Sequence, residues 1–241
     1  MPHPGSHAYW RAIPALRFAP AGMTGEGMTA PVEIVPGCLY WPGWLDRPAQ
    51  EALAEELRQV LAAAPLFTPR MPRTGKPFSV RMSNCGPLGW VSDETGYRYQ
   101  ATHPETGEPW PPMPDTLLKA WDALAGSSLR PEACLINWYA PGTRMGLHQD
   151  RDEEEFSAPV LSLSLGDTAL FRVGGTTRRD PTRSIRLASG DALLLSGAAR
   201  LAFHGIDRIL PDSSTLLKQP GRINLTLRRV HRAPTGEIPP C

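Results

Sequence analysis

His148-Gln149-Asp150 and, further along the chain, His204 are the residues whose types and spacing best suit a metal. The first three close a strand-like run that follows the Pro141-Gly142 turn. In extended backbone side chains repeat every two residues, so His148 and Asp150 would point to the same side. His204 ends a second expected strand, over 201–204. Two imidazoles and one carboxylate on one face of an octahedron suit Fe(II) and leave positions open. An oxygenase needs those positions, because a co-substrate and dioxygen must both reach the metal. An HxD pair also arises easily by chance, and a lone histidine on a strand is more often a hydrogen-bonded structural residue. The triplet needs a further element beside it.

That element is Arg222-Ile223-Asn224-Leu225-Thr226-Leu227-Arg228. Strand alternation puts Arg222, Asn224, Thr226 and Arg228 on one face and the three aliphatic residues on the other. A half-exposed strand with its polar face in water would show the same pattern. In a jelly roll, however, the inner face of such a strand lines the cavity, where buried arginines are costly unless an anion pairs with them. A dicarboxylate suits, because guanidinium forks match carboxylates bidentately. Asn137 and Tyr139, alternating on an earlier strand, could add hydrogen bonds to the same ligand.

The elements that must position these residues are mostly short strands. From residue 133 onward, strands are expected at 134–139, 160–165, 169–173, 184–187, 192–195, 201–204 and 223–230, separated by turns such as Gly174-Gly175 and Ser189-Gly190-Asp191. Strands at this spacing indicate an antiparallel sandwich or barrel, most naturally a double-sheet jelly roll. Upstream, a short strand and turn over 32–45 precede a helix capped by Asp46, entered through Pro48 and carrying Leu53, Leu57, Val60 and Leu61. A second helix is expected from Asp115 to Leu124, closed by Gly126. Between the helices, 66–114 holds Phe78, Trp90, Tyr97, Tyr99 and Trp110, with a strand at 79–84 and little other regularity. A long loop of this kind is more often a functional lid than a structural element. The expected organisation is a disordered leader over 1–30, with Met23 and Met28 as alternative starts. An N-terminal extension and lid over 31–132, the core over 133–232 and a tail over 233–241 complete it.

Composition narrows the partners. The 241 residues carry a formal net charge of +1, so any pull on nucleic acid must come from a local patch. Arg172, Arg178, Arg179, Arg183 and Arg186 are the best candidates. Cys38, Cys85, Cys134 and Cys241 are scattered without a CxxC pair, which argues against a zinc ribbon and fits a reducing compartment, the cytoplasm. No apolar run is long enough to cross a membrane.

The motifs taken together resemble one family. Leu135 to Gly142, Leu147 to Glu153, Ser162 to Gly166, Phe203-His204-Gly205-Ile206 and Arg222 to Arg228 are similar to the AlkB family of Fe(II)- and 2-oxoglutarate-dependent nucleic-acid dealkylases. Met82 to Gly86, Leu88-Gly89-Trp90, Gly96-Tyr97 and Pro109-Trp110-Pro111 resemble its bacterial branch, so the likeness runs from about residue 32 to 230. It implies a mainly β fold with flanking helices, a double-stranded β-helix (jelly-roll) core and a nucleotide-recognition lid. It implies iron ligands His148, Asp150 and His204, and 2-oxoglutarate contacts from Asn137, Tyr139, Arg222, Asn224 and Arg228. For the base pocket it implies Trp90 and Tyr97, with Asp152 and Arg178 nearby. Trp138 stands where a basic residue is expected, and Arg179 where a polar one is.

Chemistry on a base requires the base to leave the stack, at a cost of roughly a few kcal/mol, least for a damaged one. Trp90 can recover part of that by stacking. Asp152 lies two residues beyond Asp150 and would complement the positive charge of N1-methyladenine or N3-methylcytosine; Glu153, Glu154 and Glu155 read as a solvated acidic turn. The leading expectation is an Fe(II)/2-oxoglutarate dioxygenase, a monomer, that consumes O2 and demethylates single- or double-stranded DNA, with RNA as a further substrate. It would release succinate, CO2 and formaldehyde. The rivals are a 2-oxoglutarate oxygenase acting on a protein or small molecule, and a non-catalytic cupin-like metal-binding module.

Overall fold

A computed structural model describes residues 30–232. The expected tail, and all of the expected leader but residue 30, lie outside the described residues. Asp46 caps the first helix as its type demands, its Oδ1 accepting from the Ala49 N–H at 2.9 Å. Helix α1 (Arg47–Ala63) then buries Leu53, Leu57 and Val60, the residues at helical spacing. Helix α2 (Asp115–Leu124) ends where expected, with Gly126 at φ +59° just beyond it.

The strands form two facing sheets and a separate hairpin. The larger sheet contains β1 (Val32–Val35), β2 (Cys38–Trp41), β3 (Arg81–Cys85), β6 (Ala133–Tyr139), β8 (Val160–Gly166), β11 (Ala192–Leu195) and β13 (Arg222–Arg228). Its order is β1-β2-β11-β8-β13-β6-β3. The smaller sheet has the order β10-β9-β12-β7, from β7 (Met145–His148), β9 (Thr168–Val173), β10 (Arg183–Leu187) and β12 (His204–Leu210). The hairpin pairs β4 (Gly89–Asp93) with β5 (Gly96–Gln100). Every named strand pair is antiparallel, as a jelly roll requires.

The period of two in β13 decides what each sheet face does. Ile223, Leu225 and Leu227 pack with Ile136, Leu161 and Leu163 against the helices, through Leu53, Leu57, Leu117 and Trp121. Arg222, Asn224, Thr226 and Arg228 face the other way, into the space between the sheets. A sheet buried on both faces needs near-continuous apolar strands, which is why Ala192–Leu195 shows no alternation. Leu225 is fully buried at the centre of the helix-facing cluster. Leu225→Ala is expected to lower the free energy of urea unfolding by about 2–5 kcal/mol. Because Leu225 faces away from the cavity, ligand affinity measured on the folded variant should match the wild type.

Three expectations need correction. The strand expected at 201–204 instead begins at His204 and runs on to Leu210, because the 3-10 turn Gly197–Ala199 and the bonds closing it occupy the preceding residues. The region 66–114 is more regular than its glycines and prolines suggest, since it contains β3 and the β4–β5 hairpin. The single strand and turn expected over 32–45 is an antiparallel pair, β1 and β2.

Candidate active site

The smaller sheet brings the two histidines together by strand pairing. His204 at the start of β12 lies directly opposite His148 at the end of β7, and Asp150 follows two residues after. The ring centroids are 4.5 Å apart. Asp150 Oδ1 lies 3.8 Å from His148 Nε2, and Oδ2 lies 3.9 Å from His204 Nε2. One donor atom from each residue falls within 4.8 Å of the others. Each imidazole uses Nδ1 against a backbone carbonyl, Gly146 O and Ala202 O respectively, both at 3.0 Å. Nδ1 therefore carries the proton and Nε2 presents its lone pair to the centre of the triad, the usual arrangement for a metal-binding histidine. Burial, reinforced by His148, pulls the His204 pKa down to about 4, so it is neutral and free to ligate at pH 7. Burial alone would raise the Asp150 carboxyl, but Arg228 and the two histidines outweigh it and hold it well below the ordinary range.

Above the triad, a cavity of about 630 Å³ opens between the sheets, lined on one side by the polar face of β13. Arg222 is completely buried; it donates to Ser164 Oγ at 2.8 Å and Leu187 O at 3.2 Å, and its Nε has no partner. Among the described residues no carboxylate pairs with it, and burial pulls its pKa down to about 10. Asn137 and Tyr139 line the same cavity from β6, and the Asn137 amide oxygen is also buried without a partner. Asn224 is more committed, donating to Ser162 Oγ at 2.6 Å and accepting from Thr226 Oγ1 at 3.0 Å. Arg228 already holds Asp150, Nη2 to Oδ2 at 3.0 Å.

The β4–β5 hairpin forms the cavity's aromatic wall. Trp90 stacks on Tyr97 with centroids 5.6 Å apart and planes 18° from parallel, and meets Phe78 edge-on at 6.2 Å. Its indole Nε1 donates to Asp152 Oδ2 at 2.8 Å, so the expected aromatic plate and the expected carboxylate are in contact. Arg178 reaches the cavity with its guanidinium 4.9 Å over the Phe203 ring.

Residues 37–228 match the 2OG-Fe(II) oxygenase superfamily. A Caulobacter vibrioides protein named alpha-ketoglutarate-dependent dioxygenase AlkB homolog is 55% identical over 218 residues, which are 90% of this chain and 99% of that one. This chain belongs to the AlkB family of 2OG-Fe(II) oxygenases. The Escherichia coli alpha-ketoglutarate-dependent dioxygenase AlkB is 39% identical over 185 residues, 75% of this chain and 85% of its own. The structure of OsALKBH1 superposes with a TM-score of 0.71 at 30% identity, covering 83% of this chain and 99% of that one.

The AlkB family uses Fe(II), 2-oxoglutarate and O2, and the residues present fit them. Two neutral imidazole Nε2 atoms and a carboxylate form a donor set suited to Fe(II). A fully buried guanidinium that forms no ion pair among the described residues, lining the same cavity as a buried amide whose oxygen lacks a partner, suits a dicarboxylate.

Glu153 departs from the solvated turn expected over 153–155, whereas Glu154 is exposed as expected. Glu153 is buried, accepting from Tyr99 Oη at 2.5 Å and pairing with Arg200 at 3.1 Å and Arg228 at 3.4 Å. Arg200, also buried, donates to the backbone oxygens of Asp150 and Ala158. Neither Arg200, Glu153 nor Tyr99 was legible as a site residue from its neighbours. Arg172 leaves the expected phosphate patch, because Asp207 neutralises it at 3.0 Å. The two departures from the family pattern lie away from the cavity lining. Trp138 packs on the helix-facing side of β6, and Arg179 is exposed beyond Arg178.

Proposed function

We propose that this protein oxidatively demethylates N-alkylated bases, N1-methyladenine and N3-methylcytosine first, in DNA, with RNA as a further substrate. The observation that carries this reading is the Trp90–Tyr97 stack, hydrogen-bonded to Asp152 and lining the same cavity as His148, Asp150 and His204. In this reading the triad holds Fe(II), and Asn137, Tyr139, Arg222, Asn224 and Arg228 surround 2-oxoglutarate. Trp90, Tyr97, Asp152 and Arg178 receive the base, and the hairpin that carries the two aromatics serves as the lid. Iron held by the triad would supply the oxidising power by which O2 hydroxylates the methyl carbon while 2-oxoglutarate is decarboxylated to succinate and CO2, and the hydroxymethyl group would leave as formaldehyde.

The chain's own residues decide which base enters. Trp90 offers a flat face, and its bond to Asp152 fixes the indole before the base arrives. The second oxygen of Asp152 has no hydrogen bond among the described residues and remains to complement a cationic ring. A monomer in the cytoplasm fits the buried free thiols of Cys38, Cys85 and Cys134 and the scarcity of exposed large apolar side chains among the described residues; two of those, Met71 and Tyr97, line the cavity. Among the described residues no helix is long and apolar enough to cross a membrane.

The test is mass spectrometry of a panel of methylated DNA and RNA oligonucleotides after incubation with Fe(II), 2-oxoglutarate and enzyme. Loss of methyl groups from N1-methyladenine supports the reading. Succinate formation with no oligonucleotide demethylated, but with a protein or small molecule oxidised, would replace it. No iron-dependent turnover of 2-oxoglutarate would favour the cupin-like module. Stacking on an aromatic is worth roughly 1–3 kcal/mol per base. Trp90→Ala should therefore weaken binding of a methylated oligonucleotide by roughly ten- to a hundredfold. Asp152→Ala should erode the preference for cationic N1-methyladenine over a neutral lesion such as ethenoadenine. Wild-type affinity and preference in both variants would remove these residues from the pocket.

A further inference from the structure

Tyr99, Glu153, Arg228 and Asp150 form an unbroken chain of contacts from the aromatic hairpin to the metal triad. Tyr99 lies on β5 directly across from Trp90 on β4. Its hydroxyl donates to Glu153 Oε1 at 2.5 Å. Arg228 Nε lies 3.4 Å from that same oxygen, and its Nη2 lies 3.0 Å from Asp150 Oδ2. Arg200 fixes the other end of Glu153, Nη2 to Oε2 at 3.1 Å, and the backbone oxygen of Asp150 at 2.8 Å. Every charged side chain in this chain is at least nine-tenths buried.

Stability alone is a poor explanation for such a cluster. Desolvating two carboxylates and two guanidiniums is expensive, and well-packed apolar side chains of similar volume are often as stable or more so. What an apolar cluster would lack is the directional link that hydrogen bonds and ion pairs make here, from the strand paired with Trp90 to a carboxylate of the triad. We propose that Tyr99 and Glu153 are positioning residues which, through Arg228, couple occupancy of the base pocket to the orientation of Asp150, so that base and metal each tighten the other's binding. The proposal rests on the reading of the Trp90 cavity as a base pocket. Coupling of this kind is reciprocal by linkage: the factor by which the metal changes base affinity equals the factor by which the base changes metal affinity.

The experiment uses Mn(II), which fills the triad without turnover, and a single-stranded oligonucleotide carrying one N1-methyladenine. Calorimetry measures Mn(II) affinity with and without the oligonucleotide, and oligonucleotide affinity with and without Mn(II), both in 2-oxoglutarate. The wild type is expected to show the same tightening in both directions. Tyr99→Phe deletes a single hydrogen bond to a charged group, a change of roughly tenfold. It should lower the coupling factor by about that amount while leaving the affinity for Mn(II) alone unchanged. Glu153→Gln should also weaken Mn(II) binding by itself, by about 10- to 100-fold, as loss of a ligand's hydrogen-bonded support does. A purely structural hydrogen bond would lower the melting temperature of Tyr99→Phe and leave the coupling factor untouched, and that result overturns the proposal. No coupling in the wild type overturns it as well. Equal affinity of the wild type for methylated and unmodified oligonucleotides would instead defeat the base-pocket reading. Tyr99→Phe is isosteric, so the test survives even if Glu153→Gln fails to fold.

Discussion

Asp150→Ala is expected to be the most damaging single change in the chain, because one carboxylate serves two partners. As a member of the triad it offers one of three donor atoms within 4.8 Å of one another, and with two remaining, Mn(II) titration should show no saturable site. Demethylation of an N1-methyladenine oligonucleotide should fall below detection. Asp150 is also the closest ion-pair partner of buried Arg228, at 3.0 Å against 3.4 Å for Glu153. Removing one partner of a buried pair typically costs about 3–5 kcal/mol, since the surviving charge stays desolvated. Glu153 remains beside Arg228, so the low end of that range applies. Metal-free Asp150→Ala should thus unfold in urea with a free energy about 3 kcal/mol below the wild type. His204→Ala separates the two effects. It should lose metal and activity equally, yet its metal-free stability should fall less, because His204 is a neutral ring bonded only to a backbone carbonyl. Full activity in His204→Ala would remove the triad assignment.

How much of this was legible in the sequence depends on how far apart the partners lie along the chain. The polar face of β13 could be read directly, because alternation within seven residues fixes which side chains share a face. Helix α1 was equally local, with Asp46, Pro48 and the spacing of Leu53, Leu57 and Val60 all within one segment. The β4–β5 hairpin carries a weaker local signal. Asp93 accepts from the Thr95 N–H at 2.9 Å, and Gly96 follows at φ +121°, a turn that its Asp-Glu-Thr-Gly run could have revealed. Glu153 carried none. Its partners Tyr99 and Arg200 lie 54 and 47 residues away, and a run of acids beside a metal motif reads as solvated until the fold buries one of them. His204 opens its strand where local sequence suggests that it closes one, since only its pairing with His148 sets where β12 begins.

Arg222→Met should separate what the fold needs from what the co-substrate needs. In the wild type this guanidinium is fully buried, donates only to a hydroxyl and a backbone carbonyl, keeps one N–H without a partner, and forms no ion pair among the described residues, Asp191 acting on it only at longer range. Burial pulls its pKa down to about 10, which leaves it charged at neutral pH and shows that the folded state disfavours that charge. A group held this way lowers stability unless an anion arrives. An unbranched apolar side chain of similar reach removes the unpaired charge at the cost of two hydrogen bonds. The metal-free melting temperature of Arg222→Met should accordingly equal or exceed that of the wild type. Binding should move in the opposite direction. Truncating one partner of a buried, hydrogen-bonded charge pair costs about 2–5 kcal/mol. The apparent KM for 2-oxoglutarate should therefore rise by roughly 30-fold or more. Mn(II) affinity without 2-oxoglutarate should hold, since Arg222 touches none of the triad. The rise in melting temperature that 2-oxoglutarate gives the wild type should disappear at the same concentration. An unchanged 2-oxoglutarate titration together with a destabilised metal-free protein would mean that Arg222 serves the sheet through Ser164 and Leu187, and the co-substrate would have to be held elsewhere in the cavity.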